Sequence, residues 1–199
     1  MPRSIRGFCN VVFIPLHTDK KMQLSADHWL HGARRVDSPN FGDRPSQEVS
    51  LIVIHNISLP PGEFGGPYIE QLFLNQLSPT EHPYFAEVFQ LEVSSHLLIR
   101  RDGEVVQFVA FDKRAWHAGR SSYGGRENCN DYSIGIELEG CDDLPYEPIQ
   151  YTRLNEILPI LWQAYPSTQG HLVGHSDIAP GRKTDPGPAF DWRALSQNC

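Results

Sequence analysis

The chain has 199 residues, 40% hydrophobic and 21% charged, a balance that can close one hydrophobic core and excludes disorder over the whole length. Its 17 basic and 24 acidic residues leave a formal net charge of −7, which argues against a phosphate-binding face for nucleic acid. No apolar run reaches the ~18 residues of a membrane helix, and the nine histidines are the one oddity, since imidazole suits metal binding and proton transfer at neutral pH.

Residues 1–22 read as an N-terminal extension and residues 23–199 as a single domain. Phe8 to Leu16 is mildly apolar after Arg3 and Arg6, but Asn10 and Pro15 interrupt it and no small-residue cleavage site follows, so it is a poor export signal. Met22 is the second methionine and an alternative start. A short helix is expected near Ala26 to Arg34. Ser50-Leu-Ile-Val-Ile-His55 is a continuous apolar, β-branched run, which reads as a strand buried on both faces. It stops at His55-Asn56, before a loop rich in Pro and Gly from Pro60 to Pro67. The end of a central strand beside such a loop is where α/β proteins place chemistry.

Tyr68 to Leu74 has helical spacing. His96–Arg100 and Val105–Val109 read as strands around Asp102-Gly103, a two-residue hairpin turn with both positions at positive φ. Ser133 to Glu139 alternates: Ile134, Ile136 and Leu138 face one side, Ser133, Gly135, Glu137 and Glu139 the other. Leu154, Ile157, Leu158, Leu161, Trp162 and Tyr165 mark a core-facing helix, in which Pro159 predicts a kink or a break. His171 to His175 reads as a short strand and 176–191 as a Pro-rich loop, with Asp191 placed to cap a final short helix. This alternation predicts an α/β fold: a single domain with a central mixed β-sheet flanked by helices. Cys9, Cys129, Cys141 and Cys199 contain no C-x-x-C pair. Free thiols in a reducing compartment are the simplest reading, and a Cys129–Cys141 bridge stays open.

Four groups of residues could carry chemistry. His55 and His175 end strands, and Asp185 follows; two imidazoles and a carboxylate match the three protein ligands of a catalytic zinc site. Taken singly, any one histidine more often caps a strand or bonds a backbone carbonyl. Glu137 sits deeper in its strand than Glu139. An inward carboxylate is costly unless paired or used, so Glu137 is a candidate proton acceptor for an attacking water; the alternative for the pair is a solvated strand face, and Glu139 alone reads that way. Lys183 precedes Asp185 by two residues and could reach the same site to stabilise an oxyanion; alone it would read as a solvated loop lysine. Trp116-His117 is either a wall for a sugar or peptide or part of the core. Gly174-His-Ser-Asp-Ile178 lacks a nucleophile elbow and no phosphate-cradling glycine loop is present.

Taken together, His55-Asn-Ile-Ser58, Trp116-His117-Ala-Gly119, Asn130-Asp-Tyr-Ser-Ile-Gly-Ile-Glu137 and Gly174-His175 with Arg182-Lys183-Thr-Asp185-Pro-Gly187 resemble the AmpD family of zinc-dependent N-acetylmuramoyl-L-alanine amidases. The likeness covers about residues 23–195, and Pro60 to Pro67 resembles the cytoplasmic branch, which acts on 1,6-anhydromuropeptides in cell-wall recycling. It implies the amidase/peptidoglycan-recognition fold, Zn2+ held by His55, His175 and Asp185, Glu137 as general base and Lys183 as transition-state stabiliser. Substrate contacts are expected from Asn56, Trp116, His117, Arg126 and Asn130. Where a basic residue is expected beside Cys129, Asn128 stands instead, with Arg126 as a substitute. The expected protein is a cytoplasmic monomer acting on a small released muropeptide, with no nucleic-acid or membrane partner. The alternatives are an envelope amidase on intact peptidoglycan and a non-catalytic peptidoglycan-binding module; such modules typically lose a zinc ligand, and all three are present here.

Overall fold

The computed structural model describes residues 22–195. Residues 1–21, with the poor export signal and Cys9, lie outside the described residues, as does Cys199. Six strands, numbered in chain order, form the central sheet: β1 Arg34–Arg35, β2 Leu51–Ile57, β3 Leu97–Ile99, β4 Val105–Gln107, β5 Ser133–Glu139 and β6 Leu172–Gly174. Their spatial order is β6-β2-β5-β3-β4-β1. The β3–β4 pair is antiparallel and the other four pairs are parallel, so the sheet is mixed as expected. The helices are α1 Tyr68–Phe73, α2 Phe85–Val88, α3 Pro148–Ala164 and α4 His175–Ile178.

Strands β2 and β5 pair over their whole length, and every residue of β5 is buried. One face carries Ile52, Ile54, Ile134, Ile136 and Leu138, which pack with Leu154, Ile157, Leu158 and Leu161 of α3. The other face is built from Leu51 and Val53 with Cys129, Tyr132 and Ile178, and further along from Leu98, Val106 and Phe108 with Ile69, Leu72 and Phe73 of α1. A parallel strand covered on both faces must be apolar nearly throughout, and β2 is, up to His55. Helix α3 begins earlier than its apolar repeat suggests. Pro148 sits at its first turn, and Glu147 and Gln150 form a capping box that satisfies first-turn N–H groups. Gln150 also donates to Ile99 O at 3.0 Å and Glu139 O at 3.1 Å, which ties the helix to the strand ends. The helix runs on through Pro159 without a break.

Four local expectations are corrected. Ala26 to Arg34 is not a helix. Gln23–Leu24 pairs antiparallel with Leu30–His31 around a turn in which His28 has φ +63°. Ser25 drives this, its N–H and Oγ both donating to Trp29 O, the local bonding by which serine competes with helix. The Asp102-Gly103 hairpin has positive φ only at Gly103. Gly103 N–H bonds Arg100 O and Arg100 N–H bonds Glu104 O, a three-residue loop closed by a glycine bulge. His175 is the first residue of α4 rather than the last of a strand. Glu139 is no solvated residue: it is 1% exposed, accepts from Gly65 N–H at 2.6 Å and Arg101 N–H at 3.1 Å and lies 3.6 Å from Arg100, so it fastens the Gly-rich loop to the sheet. Met22 packs into the α3 core cluster, and Cys129 and Cys141 are unpaired thiols.

Ile136 is wholly buried at the centre of β5. Ile136→Ala is expected to cost about 2–5 kcal/mol of stability, read as a lower denaturant midpoint at unchanged slope; a loss under about 1 kcal/mol would contradict this packing.

A candidate metal centre at the ends of the parallel strands

His55 lies near the C-terminal end of β2, and the register of the sheet sets Glu137 of β5 directly beside it. His175 begins α4 immediately after β6, so three neighbouring strands deliver side chains to one point. Asp185 arrives from the following loop, held by Ser176 N–H bonding Asp185 O at 2.9 Å. Tyr146 Oη donates to Pro186 O at 2.7 Å, and Asn56 Nδ2 donates to the same carbonyl at 3.2 Å and to Asp142 at 2.8 Å. Gly187 completes the approach: its φ is +79°, and a Cβ there would lie 2.3 Å from Asp142 Cα.

The result is a triangle of donor atoms. His55 Nδ1 is 2.9 Å from His175 Nδ1 and 3.2 Å from Asp185 Oδ2, and His175 Nδ1 is 3.0 Å from Asp185 Oδ2. Among the described residues this is the group whose ligand atoms could hold a metal ion. His175 Nε2 lies 3.1 Å from Ala118 O; a carbonyl only accepts, so His175 Nε2 carries a proton and the ring turns Nδ1 toward the other two donor atoms. Tetrahedral zinc bonds of ~2.0–2.2 Å put donors about 3.3–3.6 Å apart, a few tenths of an ångström wider than this triangle. Glu137 Oε1 is 4.0 Å from His55 Nδ1, and Glu137 Oε2 is buried without a hydrogen-bond partner. Two imidazole nitrogens, a carboxylate oxygen and an orphaned carboxyl oxygen beside them fit a divalent cation with a bound water.

The electrostatics follow from burial. Burial, and then the Asp185 charge, push the Glu137 carboxyl well above its usual range, against the pull of Lys183. Burial draws His55 down to about 4 and His96 to about 3. It holds His117 well below the ordinary histidine range, with the neighbouring imidazoles acting the same way. These rings are neutral in the fold, the form in which imidazole can bind a metal.

A cavity of about 380 Å³ opens over this triangle, within the range of small-molecule sites. His55, Asn56, Trp116, His117, Glu137, His175, Lys183 and Asp185 all line it. Lys183 is exposed at its mouth and Trp116 half-buried in its wall. Two expected substrate contacts are not brought there. Asn130 is buried, its Oδ1 accepting from His117 N–H at 3.1 Å and Ala118 N–H at 2.8 Å, so it shapes the Trp116–Ala118 segment from behind. Arg126 is exposed, pairs with Glu48 at 2.7 and 3.0 Å and covers the Tyr132 ring. His96, a weaker candidate, is buried with Nδ1 accepting from Gly135 N–H at 3.0 Å. Sequence reasoning missed the apolar wall formed by Leu59, Leu72, Phe73, Tyr84, Val88, Leu91 and Val93. Leu91, 48% exposed, is its visible sign, and nothing in the sequence distinguishes it from an ordinary surface leucine.

The family model described as N-acetylmuramoyl-L-alanine amidase matches residues 45–188. The chain is 61% identical over 165 residues to the 1,6-anhydro-N-acetylmuramyl-L-alanine amidase AmpD of Escherichia coli (strain K12), covering 82% of this chain and 90% of that protein. A crystal structure of a selenomethionine AmpD derivative superposes with a TM-score of 0.84 at 58% identity, covering 85% of this chain and 95% of the other. The N-acetylmuramyl-L-alanine amidase AmiD from E. coli, in complex with the substrate anhydro-N-acetylmuramic acid-L-Ala-D-gamma-Glu-L-Lys, superposes with a TM-score of 0.55 at 28% identity, covering 89% of this chain and 65% of that one.

The buried groups set a pH dependence whose sign is calculable. His55, His96 and His117 take up protons in the unfolded chain near the ordinary value of 6.5 and in the fold only far lower. Their contribution to stability is present above that value and lost as pH falls. Glu137 acts oppositely, favouring the fold at low pH and losing that contribution as pH rises. Three groups outweigh one, so the Tm of metal-free protein is expected to fall as pH is lowered from about 6.5 to about 4; a level or rising Tm would contradict the buried neutral imidazoles.

Proposed function

The chain belongs to the AmpD branch of the N-acetylmuramoyl-L-alanine amidase family, and from that premise we propose that it hydrolyses the amide between 1,6-anhydro-N-acetylmuramic acid and the L-alanine of the stem peptide, with zinc held by His55, His175 and Asp185. The observation that carries this reading is the meeting of His55 Nδ1, His175 Nδ1 and Asp185 Oδ2 beside the unpartnered Glu137 Oε2 on the floor of a ligand-sized cavity. Zinc bound there would polarise the scissile carbonyl and acidify the attacking water.

Glu137 is the general base. Burial raises its carboxyl above the usual carboxylate range, which makes the carboxylate a stronger proton acceptor. It takes the proton of the attacking water and passes it to the nitrogen of the departing L-alanine. Lys183, at the mouth of the same cavity, donates to the carbonyl oxygen as charge develops on it. Trp116 offers a flat wall to the sugar, and the apolar side of the cavity receives the uncharged parts of the ligand. The ligand is a small released muropeptide, the class seen in the AmiD complex. We place the reaction in the cytoplasm, a setting supported by the unpaired Cys129 and Cys141.

Digestion of anhydromuropeptide beside intact sacculi, read by mass spectrometry, tests the substrate: free stem peptide is expected from the former only, and release from sacculi alone would favour an envelope enzyme. Chelation is expected to abolish turnover and added zinc to restore it. Glu137→Gln is expected to keep its zinc, by elemental analysis, and lose ~10²–10⁴ in kcat. Lys183→Ala is expected to lose ~10²–10³ in kcat. Full turnover in the Glu137 variant would overturn the assignment.

A further inference from the structure

His117 stands behind the donor triangle rather than in it. Its Nδ1 lies 2.9 Å from His55 Nε2, and its Nε2 lies 3.0 Å from Ser133 Oγ. Ser133 opens β5, and its Oγ is 2.6 Å from Cys129 O. One line of contacts thus runs from a main-chain carbonyl to the far side of His55.

Only one placement of protons satisfies that line. A carbonyl oxygen cannot donate, so the 2.6 Å contact with Cys129 O takes the single hydroxyl proton of Ser133. The reverse would press two bare oxygens together at that distance. Ser133 Oγ must therefore accept from His117, which puts the one proton of that neutral ring on Nε2 and leaves Nδ1 bare. A bare nitrogen 2.9 Å from His55 Nε2 needs a proton between them, and His55 supplies it. The His55 proton is then on Nε2, and its Nδ1 faces His175 Nδ1 and Asp185 Oδ2 at 2.9 and 3.2 Å with no ring proton left to place between them, a crowding of bare atoms that a bound cation would relieve.

We propose that His117 and Ser133 are positioning residues that fix the tautomer of His55, so that its Nδ1 is a bare donor before any metal arrives. This rests on the reading of His55 as a metal ligand. Residues behind a ligating histidine commonly set its tautomer and orientation in this way. The surroundings are shaped for it. The His117 ring stands edge-on to His55, with centroids 5.0 Å apart and planes at 84°. Gly135 leaves room for it, since a Cβ there would lie 2.4 Å from His117 Cγ. Asn130 Oδ1 holds the His117 main-chain N–H at 3.1 Å, and the Cys129 end is anchored by its N–H donating to Ser121 Oγ at 3.1 Å.

The test is 15N NMR of the histidine rings in metal-free protein, with zinc affinity measured separately by chelator competition. Wild-type protein is expected to show His55 and His117 as Nε2–H tautomers. Ser133→Ala frees the His117 proton to move to Nδ1. That variant is expected to give a measurable fraction of His55 Nδ1–H and about 10–100-fold weaker zinc binding, while Ser133→Thr keeps both properties near wild type. His55 as Nδ1–H in the wild type overturns the proposal, as does Ser133→Ala with unchanged tautomer and affinity. Should Ser133→Ala fail to fold, the wild-type spectrum decides. Absence of zinc binding by wild-type protein would refute the metal reading instead, and the metal-free spectrum would still decide the relay.

Discussion

Glu137 pairs with His55 across the two central parallel strands, and the rest of the site depends on that register. In a pleated sheet a slip of one residue turns every side chain to the opposite face. Here Ile52, Ile54, Ile134, Ile136 and Leu138 must all face α3 to be buried with it. That apolar face holds the register, and the register then places His55 and Glu137 together on the other face. The core is in this sense the jig for the chemistry. The third strand and its helix add His175, and a tightly held loop adds Asp185.

Two carboxyls on one strand face show how environment divides roles. Glu139 receives two main-chain N–H groups and lies close to Arg100, so its charge is met by fixed partners and it acts as a fastener. Glu137, two residues earlier and 7% exposed, has an oxygen with no partner and a carboxyl pushed up by burial. An unsatisfied buried carboxyl is costly to the fold, and such costs gather where a protein holds groups ready for a ligand or a reaction. The same contrast separates His96, both of whose ring nitrogens meet main-chain groups, from His55 and His175, which turn one nitrogen into the triangle.

Much of this was legible in the residues. The run Leu51–His55 and the alternation Ser133–Glu139 identify the two central strands because hydrophobic periodicity reports burial directly. The donor set was legible because His55, His175 and Asp185 occur in motifs that resemble a known family. What escaped was set by tertiary partners that leave no local trace. Glu139 reads as solvated because nothing in its own strand announces Arg100 or the Gly65 N–H. Asn130 and Arg126 are polar residues near the right motifs, yet one is drawn inward by two main-chain N–H groups and the other outward by Glu48. The segment Ala26–Arg34 has no helix-breaking residue before Gly32, and local bonding by Ser25 decides it. His117 reads as a wall residue and does line the cavity, but its contact with His55 joins residues 62 apart in the chain, which no local pattern announces.

The central claim is that one zinc ion sits among His55 Nδ1, His175 Nδ1 and Asp185 Oδ2. Anomalous diffraction from zinc-loaded crystals, recorded above and below the zinc absorption edge, tests it most directly. The account predicts one strong difference peak per chain, about 2.0–2.2 Å from each of those three atoms. A peak elsewhere with the triangle empty would contradict it.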